Sequence, residues 1–107
     1  MRESHVEEWL GNQLKQMGGL WLKFVSPGHA GVPDRILLLG GKVFFVEMKT
    51  DTGKLSVAQS VLFAKMNRAG QTVHEVYGKG GAEVFLALLR ANVGFEPGKT
   101  YTWRGAV

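Results

Sequence analysis

Hydrophobic residues along the chain fall into helical and strand periodicities separated by glycine-rich breaks. Val6, Leu10, Leu14 and Met17 recur at three- and four-residue intervals, which predicts an amphipathic helix over residues 3–17 ended by Gly18-Gly19. Residues 20–25, Leu-Trp-Leu-Lys-Phe-Val, predict a first strand, followed by a Gly/Pro-rich loop from Ser26 to Pro33. Two further strands, 35–40 and 42–48, meet at Gly40-Gly41, a pair suited to the positive φ angles of a tight hairpin turn. Ser56 to Ala69 predicts a second helix with Val57, Val61, Leu62 and Met66 buried and Gly70 as its stop. A strand over 72–77 and a helix over 81–91, carrying Val84, Phe85, Leu88 and Leu89, complete the regular elements. The tail from Asn92 onward reads either as a short extra strand or as a loosely docked segment. The order α-β-β-β-α-β-α predicts an α/β fold, a mixed sheet of about four strands flanked by helices. Its last strand should run parallel to its neighbour after a right-handed crossover.

Composition narrows the class. The 107 residues make one domain, 1–107, with a core over 3–91 and a tail over 92–107. A hydrophobic fraction of 45% and a charged fraction of 21% belong to a folded chain rather than a disordered one. There is no cysteine, so disulfides and thiolate zinc sites are excluded. No apolar run reaches the ~18–20 residues that span a bilayer, and the N-terminus is unlike a signal peptide, so a cytoplasmic location is expected. Net charge +4 and a pI near 9.6 suit an anionic partner such as nucleic acid.

The candidate chemistry lies in Gly31-Val32-Pro33-Asp34 and Val46-Glu47-Met48-Lys49. With Gly40-Gly41 as the loop, Leu39 faces Lys42 and, stepping outward, Asp34 faces Glu47. Facing residues on antiparallel strands hold their Cβ atoms roughly 4.5–5.5 Å apart. Two carboxylates that close repel and raise each other's pKa. A hard divalent cation such as Mg²⁺ shared between them is the economical explanation. Lys49 falls on the same sheet face as Glu47 by strand alternation, whereas a one-residue slip would part the two acids.

Pro33-Asp34 followed by Glu47-x-Lys49 resembles the PD-(D/E)xK nuclease pattern. The fuller set is Lys23-Phe24, Gly31-Val32-Pro33-Asp34-Arg35, Phe45-Val46-Glu47-Met48-Lys49 and Gln59. It is similar to the VRR-NUC (virus-type replication-repair nuclease) branch, in its compact stand-alone phage and bacterial form. The likeness covers roughly residues 3 to 77. It implies a restriction-endonuclease-like fold and a metal-dependent phosphodiesterase. By resemblance, Asp34 and Glu47 hold Mg²⁺ or Mn²⁺ with the main-chain carbonyl of Met48, and Lys49 positions or activates the attacking water. A glutamate of the first helix joins them, through water; Glu7 is the better placed match, with Glu3 and Glu8 as competitors. Gln59 is expected near the active site.

Plainer readings stand beside these. Ser4-x-x-Glu7 and Ser56-x-x-Gln59 are both capping boxes, in which Glu7 and Gln59 serve helix N-termini. Lys23, His29 and Arg35 flank the motif as candidate DNA contacts, though a strand lysine and a loop histidine are as readily just solvated. His5 and His74 have no metal-ligand spacing. Trp9, Trp21, Phe44, Phe45 and Phe63 read as core, and Tyr101 and Trp103 as candidates for a dimer interface. The resulting expectation is a structure-specific DNA endonuclease using one or two Mg²⁺ ions. The resemblance suggests branched DNA, such as a four-way (Holliday) junction, and cutting two strands calls for a homodimer. The alternative of a different class is a non-catalytic nucleic-acid-binding or assembly module. The complete Asp34, Glu47 and Lys49 set ranks it second.

Overall fold

A computed structural model describes residues 2–105, apart from the side chain of Glu3. The elements are α1 (Glu3–Gln16), β1 (Leu20–Lys23), β2 (Arg35–Leu39), β3 (Lys42–Lys49), α2 (Val57–Arg68), β4 (Val73–Tyr77), α3 (Gly78–Arg90) and β5 (Thr100–Trp103). The five strands form one sheet in the order β1-β2-β3-β4-β5. β1, β2 and β3 are antiparallel neighbours, while β3, β4 and β5 run parallel.

The sheet therefore has one strand more than the sequence pattern implied. Thr100–Trp103 is too short to show a period, but it extends the sheet beyond β4 in register from Val73↔Thr100 to Val76↔Trp103. Tyr101 and Trp103 are half-buried inside the domain: both rings stack on His74, at 5.4 and 6.2 Å between centroids.

α1 and α3 cover one face of the sheet. Val6, Leu10 and Leu14 of α1 meet Leu37, Phe44, Val46, Met48 and Val76, with Ala82, Phe85, Leu86 and Leu89 of α3 closing the core. α2 lies on the opposite face, over β4 and β5. Both crossovers, β3-α2-β4 and β4-α3-β5, step the same way across the sheet, yet their helices lie on opposite faces. They are consequently of opposite hand, and only one follows the right-handed preference.

Two local expectations are corrected. α2 is rolled away from the predicted stripe: Val57 is 82% and Val61 50% exposed, whereas Phe63 is buried and Leu62 and Met66 are half-buried. The inward positions are 59, 63 and 66, a helical face that brings Gln59 to the sheet. α3 starts at Gly78 rather than Gly81, because Gly80 and Gly81 let its first turn lie against the backbone of Trp103 and Gly105.

Among the described residues, no helix covers the antiparallel half of the α2 face. Register places Leu20, Leu38 and Val43 in one row across β1, β2 and β3, and Leu22, Ile36 and Phe45 in the next. Phe24 continues the set, 6.0 Å from Phe45 between ring centroids. Leu20, Leu22 and Val43 are 57%, 44% and 50% exposed.

Candidate active site

The hairpin has the register that its turn demands. Gly40 and Gly41 both adopt positive φ, at 59° and 78°, as a two-residue primed turn requires, and Leu39 faces Lys42. The last paired residues before the site are Arg35 and Val46, and one step further Asp34 and Glu47 meet. Each carboxylate accepts a hydrogen bond from the backbone beside the other: Asp34 N–H donates to Glu47 Oε1 at 3.1 Å, and Met48 N–H donates to Asp34 Oδ2 at 3.0 Å.

The loop ahead of Asp34 is held by shape. Gly31 has φ +89°, and a Cβ there would come within 2.7 Å of the Ala58 carbonyl carbon and oxygen in the first turn of α2. The motif loop and α2 thus approach closely enough for Gln59 to cross between them. Gln59 completes the predicted capping box with Ser56, and its Nε2 also donates to Glu47 Oε2 at 2.8 Å. Both readings of Gln59 hold at once. Lys49 Nζ lies 3.2 Å from the same Glu47 oxygen, on the face that alternation predicted.

These neighbours only partly offset the cost of enclosing two acids. Burial, then the Asp34 charge, pushes the Glu47 carboxyl up to about 7 despite Lys49 and Gln59. Asp34 is likewise raised, mainly by burial and also by Glu7, against the Met48 N–H that lowers it. A divalent cation held by the two carboxylates would relieve both effects. The donor set suits Mg²⁺, which is commonly held through one or two carboxylates with waters and substrate oxygens filling its shell. Among the described residues no group of three or more acidic or histidine side chains converges in ligating geometry.

Glu7 stands next to this pair rather than within it. Its Oε1 accepts from Arg35 Nε at 2.8 Å, and Glu7, Asp34 and Lys23 line one cleft of about 400 Å³. The capping box of Ser4 and Glu7 does not form: α1 begins at Glu3 with Arg2 as its N-cap, too early for Ser4 to cap it. Glu8 is exposed and faces an adjoining cleft with Lys15 and Trp21; the side chain of Glu3 lies outside the described residues. Arg35 also sits 5.3 Å over the Trp21 ring. His29 is exposed and borders an apolar cleft formed by Phe24, Val32, Phe45, Leu62 and Met66.

Sequence reading missed a second row of polar groups. Parallel pairing sets Glu75 beside Glu47 and Tyr77 beside Lys49. Glu75 is 8% exposed and accepts the Tyr77 hydroxyl at 2.7 Å. Arg104, one step past the Val76↔Trp103 pair, lays its guanidinium 3.7 Å from the centre of the Tyr77 ring. The i,i+2 spacing of Glu75 and Tyr77 was visible in the sequence. Which strand they would neighbour was not, because that depends on a crossover whose register no local turn sets.

No protein-family model matches the sequence. The chain is 39% identical over 74 residues to "Putative nuclease p44" of Acyrthosiphon pisum secondary endosymbiont phage 1, an alignment taking in 68% of this chain and 80% of that protein. Its fold is similar to that of a solved "VRR_NUC domain", with a TM-score of 0.72 and 22% identity, covering 85% of this chain and 97% of the other. Kinship with the phage protein and the fold of this domain agree with the paired acids and lysine of the hairpin: the chain belongs to the family of that phage nuclease and has the fold of a VRR_NUC domain.

Proposed function

We propose that the protein is a metal-dependent, structure-specific DNA endonuclease. The observation that carries this reading is the pairing of the Asp34 and Glu47 carboxylates, each held by a backbone N–H beside the other, with Lys49 3.2 Å from Glu47. Asp34, Glu47 and the Met48 carbonyl would hold Mg²⁺, with Mn²⁺ able to substitute. When bound, the ion supplies a water of lowered pKa and neutralises charge developing on the phosphate.

The chain's own groups do the rest. Glu47 is fixed by three donors, so its free energy of orientation is spent on folding rather than at the reaction. Lys49 brings a positive charge to the edge of the pair, where it can orient the attacking water and offset charge on the phosphate. Glu7, held by Arg35, adds a carboxylate to the cleft leading to Asp34 and can accept from a water there. Lys23 and Arg35 line the approach as phosphate contacts.

A domain of this size reads phosphates and DNA shape more than bases, and branched DNA is the substrate that the likeness to VRR-NUC domains suggests. A homodimer would carry two such centres, as cutting both strands of a four-way junction requires. The uncovered sheet face supports a second copy as the occupant. It carries seven apolar side chains bordered by Leu62 and Met66, with Leu20, Leu22 and Val43 roughly half exposed, and a contiguous exposed apolar face of this kind marks an association surface. A two-fold axis matches that face to itself without any new complementary surface.

The deciding experiment incubates labelled four-way-junction and linear duplex DNA with the protein across Mg²⁺ and Mn²⁺ concentrations, with EDTA as control. Metal-dependent cleavage that favours the junction, and that Asp34→Ala and Lys49→Ala abolish without loss of fold, is the expected result. DNA binding with no cleavage of any substrate would instead favour the non-catalytic module.

A further inference from the structure

The strands that end at the site are parallel, so their C-terminal ends lie side by side. β3 ends in Lys49, β4 in Tyr77 and β5 is followed by Arg104. Strand alternation puts all three on the α2 face, in one row next to the row of Glu47, Glu75 and Thr102. In open α/β sheets ligands collect at this carboxyl edge.

Arg104 is exposed, and among the described residues its one hydrogen bond is a long 3.5 Å contact from Nη1 to the Asp51 carbonyl. Tyr77, by contrast, is 4% exposed and tied through its hydroxyl to the buried Glu75. A fixed aromatic ring beneath a guanidinium sets the plane of the cation while leaving its N–H groups directed outward. Such a group is suited to a phosphate, whose oxygens accept the paired donors of an arginine.

We infer that Arg104, oriented by Tyr77, is a second phosphate-binding position, two strand spacings (~10 Å) from Lys49 along the edge of the sheet. It receives a backbone phosphate of the same nucleic acid whose scissile phosphate lies at Asp34, Glu47 and Lys49. Glu75 is a positioning residue in this arrangement: it pins the ring that carries the guanidinium. The inference rests on the nuclease reading of the neighbouring acids.

The test is equilibrium binding of fluorescent four-way-junction DNA to the full chain in EDTA, followed by anisotropy over a range of NaCl concentrations. A lost phosphate contact lowers the slope of log K against log[salt] by about one. Arg104→Gln is expected to lower the slope by that amount, and Arg104→Lys to restore most of it. Tyr77→Leu should give a partial loss with Arg104 still present. Thermal unfolding distinguishes a contact from a structural role, since Arg104→Gln should leave the midpoint within a degree or two. An unchanged slope in Arg104→Gln, with wild-type protein that binds and cleaves DNA, overturns the phosphate position and leaves the nuclease reading intact. Wild-type protein that neither binds nor cleaves DNA overturns both.

Discussion

Gln59 touches Glu47 and the start of its own helix with the same side chain. Its Oε1 accepts from Ser56 N–H at 2.9 Å while its Nε2 donates to Glu47 Oε2 at 2.8 Å. The helix cap and the acid of the site are thereby one hydrogen-bonded unit, and a substitution can divide them. Gln59→Glu keeps the acceptor for the cap but sets a second carboxylate against Glu47. Unfolding midpoints close to wild type with a cleavage profile moved to higher pH are expected. Gln59→Ala loses both functions and should cost about 1–2 kcal/mol of stability. Equal pH profiles for wild type and Gln59→Glu would show that this contact does not tune Glu47.

Stability should respond to acid through opposing groups, the raised carboxyls of the site and a lowered histidine of the core. Glu47 is raised from 4.5 to about 7, so its protonated form suits the folded state; this contribution is full below about 4.5 and is lost as pH rises toward 7. His74 is fully buried and lowered from 6.5 to about 4, so its contribution is present above 6.5 and lost as pH falls toward 4. Each is worth about 3 kcal/mol, and between pH 7 and 4 the two trends oppose each other, with the raised Asp34 adding to the Glu47 side. Urea midpoints of wild type should therefore change less across that window than the His74 trend alone would give. Glu47→Gln removes one trend and should reveal a steep loss of stability toward acid.

Divalent ions should reverse the alkaline side of this balance. Binding needs Asp34 and Glu47 both ionised, and both are raised above their usual values. Mg²⁺ or Mn²⁺ is therefore expected to raise the unfolding temperature by several degrees at pH 8 and by little at pH 5. A rise that is the same at both values would place the ion elsewhere.

Gly31 tolerates no side chain. Positive φ and a 2.7 Å approach to Ala58 act together, so Gly31→Ala should destabilise by about 2 kcal/mol or more. Any protein that remains folded should cleave poorly, because the loop before Asp34 must move off α2. Calorimetry and cleavage assays on one preparation read both effects.

The open sheet face supplies a direct test of association. Leu22→Glu and Val43→Lys place charges at exposed positions of this face, one and two rows from the Asp34–Glu47 pair. Sedimentation equilibrium should find wild type dimeric at micromolar concentration and both variants monomeric. A monomeric wild type would remove the homodimer from the proposal.

Much of the hairpin could be read in advance because a two-residue turn dictates its own pairing. Gly40-Gly41 set the register, and with it the meeting of Asp34 and Glu47, from local sequence alone. The same holds for the cap at Ser56 and Gln59. The roll of α2 was not legible, since Val57 and Val61 fit the helical period as well as Gln59 and Phe63 do. Nor was β5, whose four residues take their place only by pairing with β4. His74 shows the limit most plainly. Its Nδ1 accepts from Trp103 Nε1 at 3.1 Å and its ring packs against Phe44, Phe85 and Phe95, an arrangement that joins five segments of the chain.

β3 belongs to two kinds of pairing at once, antiparallel to β2 and parallel to β4. Hairpins close in roughly 1–10 μs, whereas pairing across a crossover waits on a longer loop closure. Hypothesis: Asp34 and Glu47 are brought together early in folding, and Gln59, Tyr77 and Arg104 arrive last. Pulsed hydrogen exchange would show it as early protection at Leu37 and Phe44 and late protection at Glu75; simultaneous protection would refute it. The chain would then assemble its hydrolytic pair before the surface that grips a substrate, so that a partly folded molecule holds the acids without the means to use them.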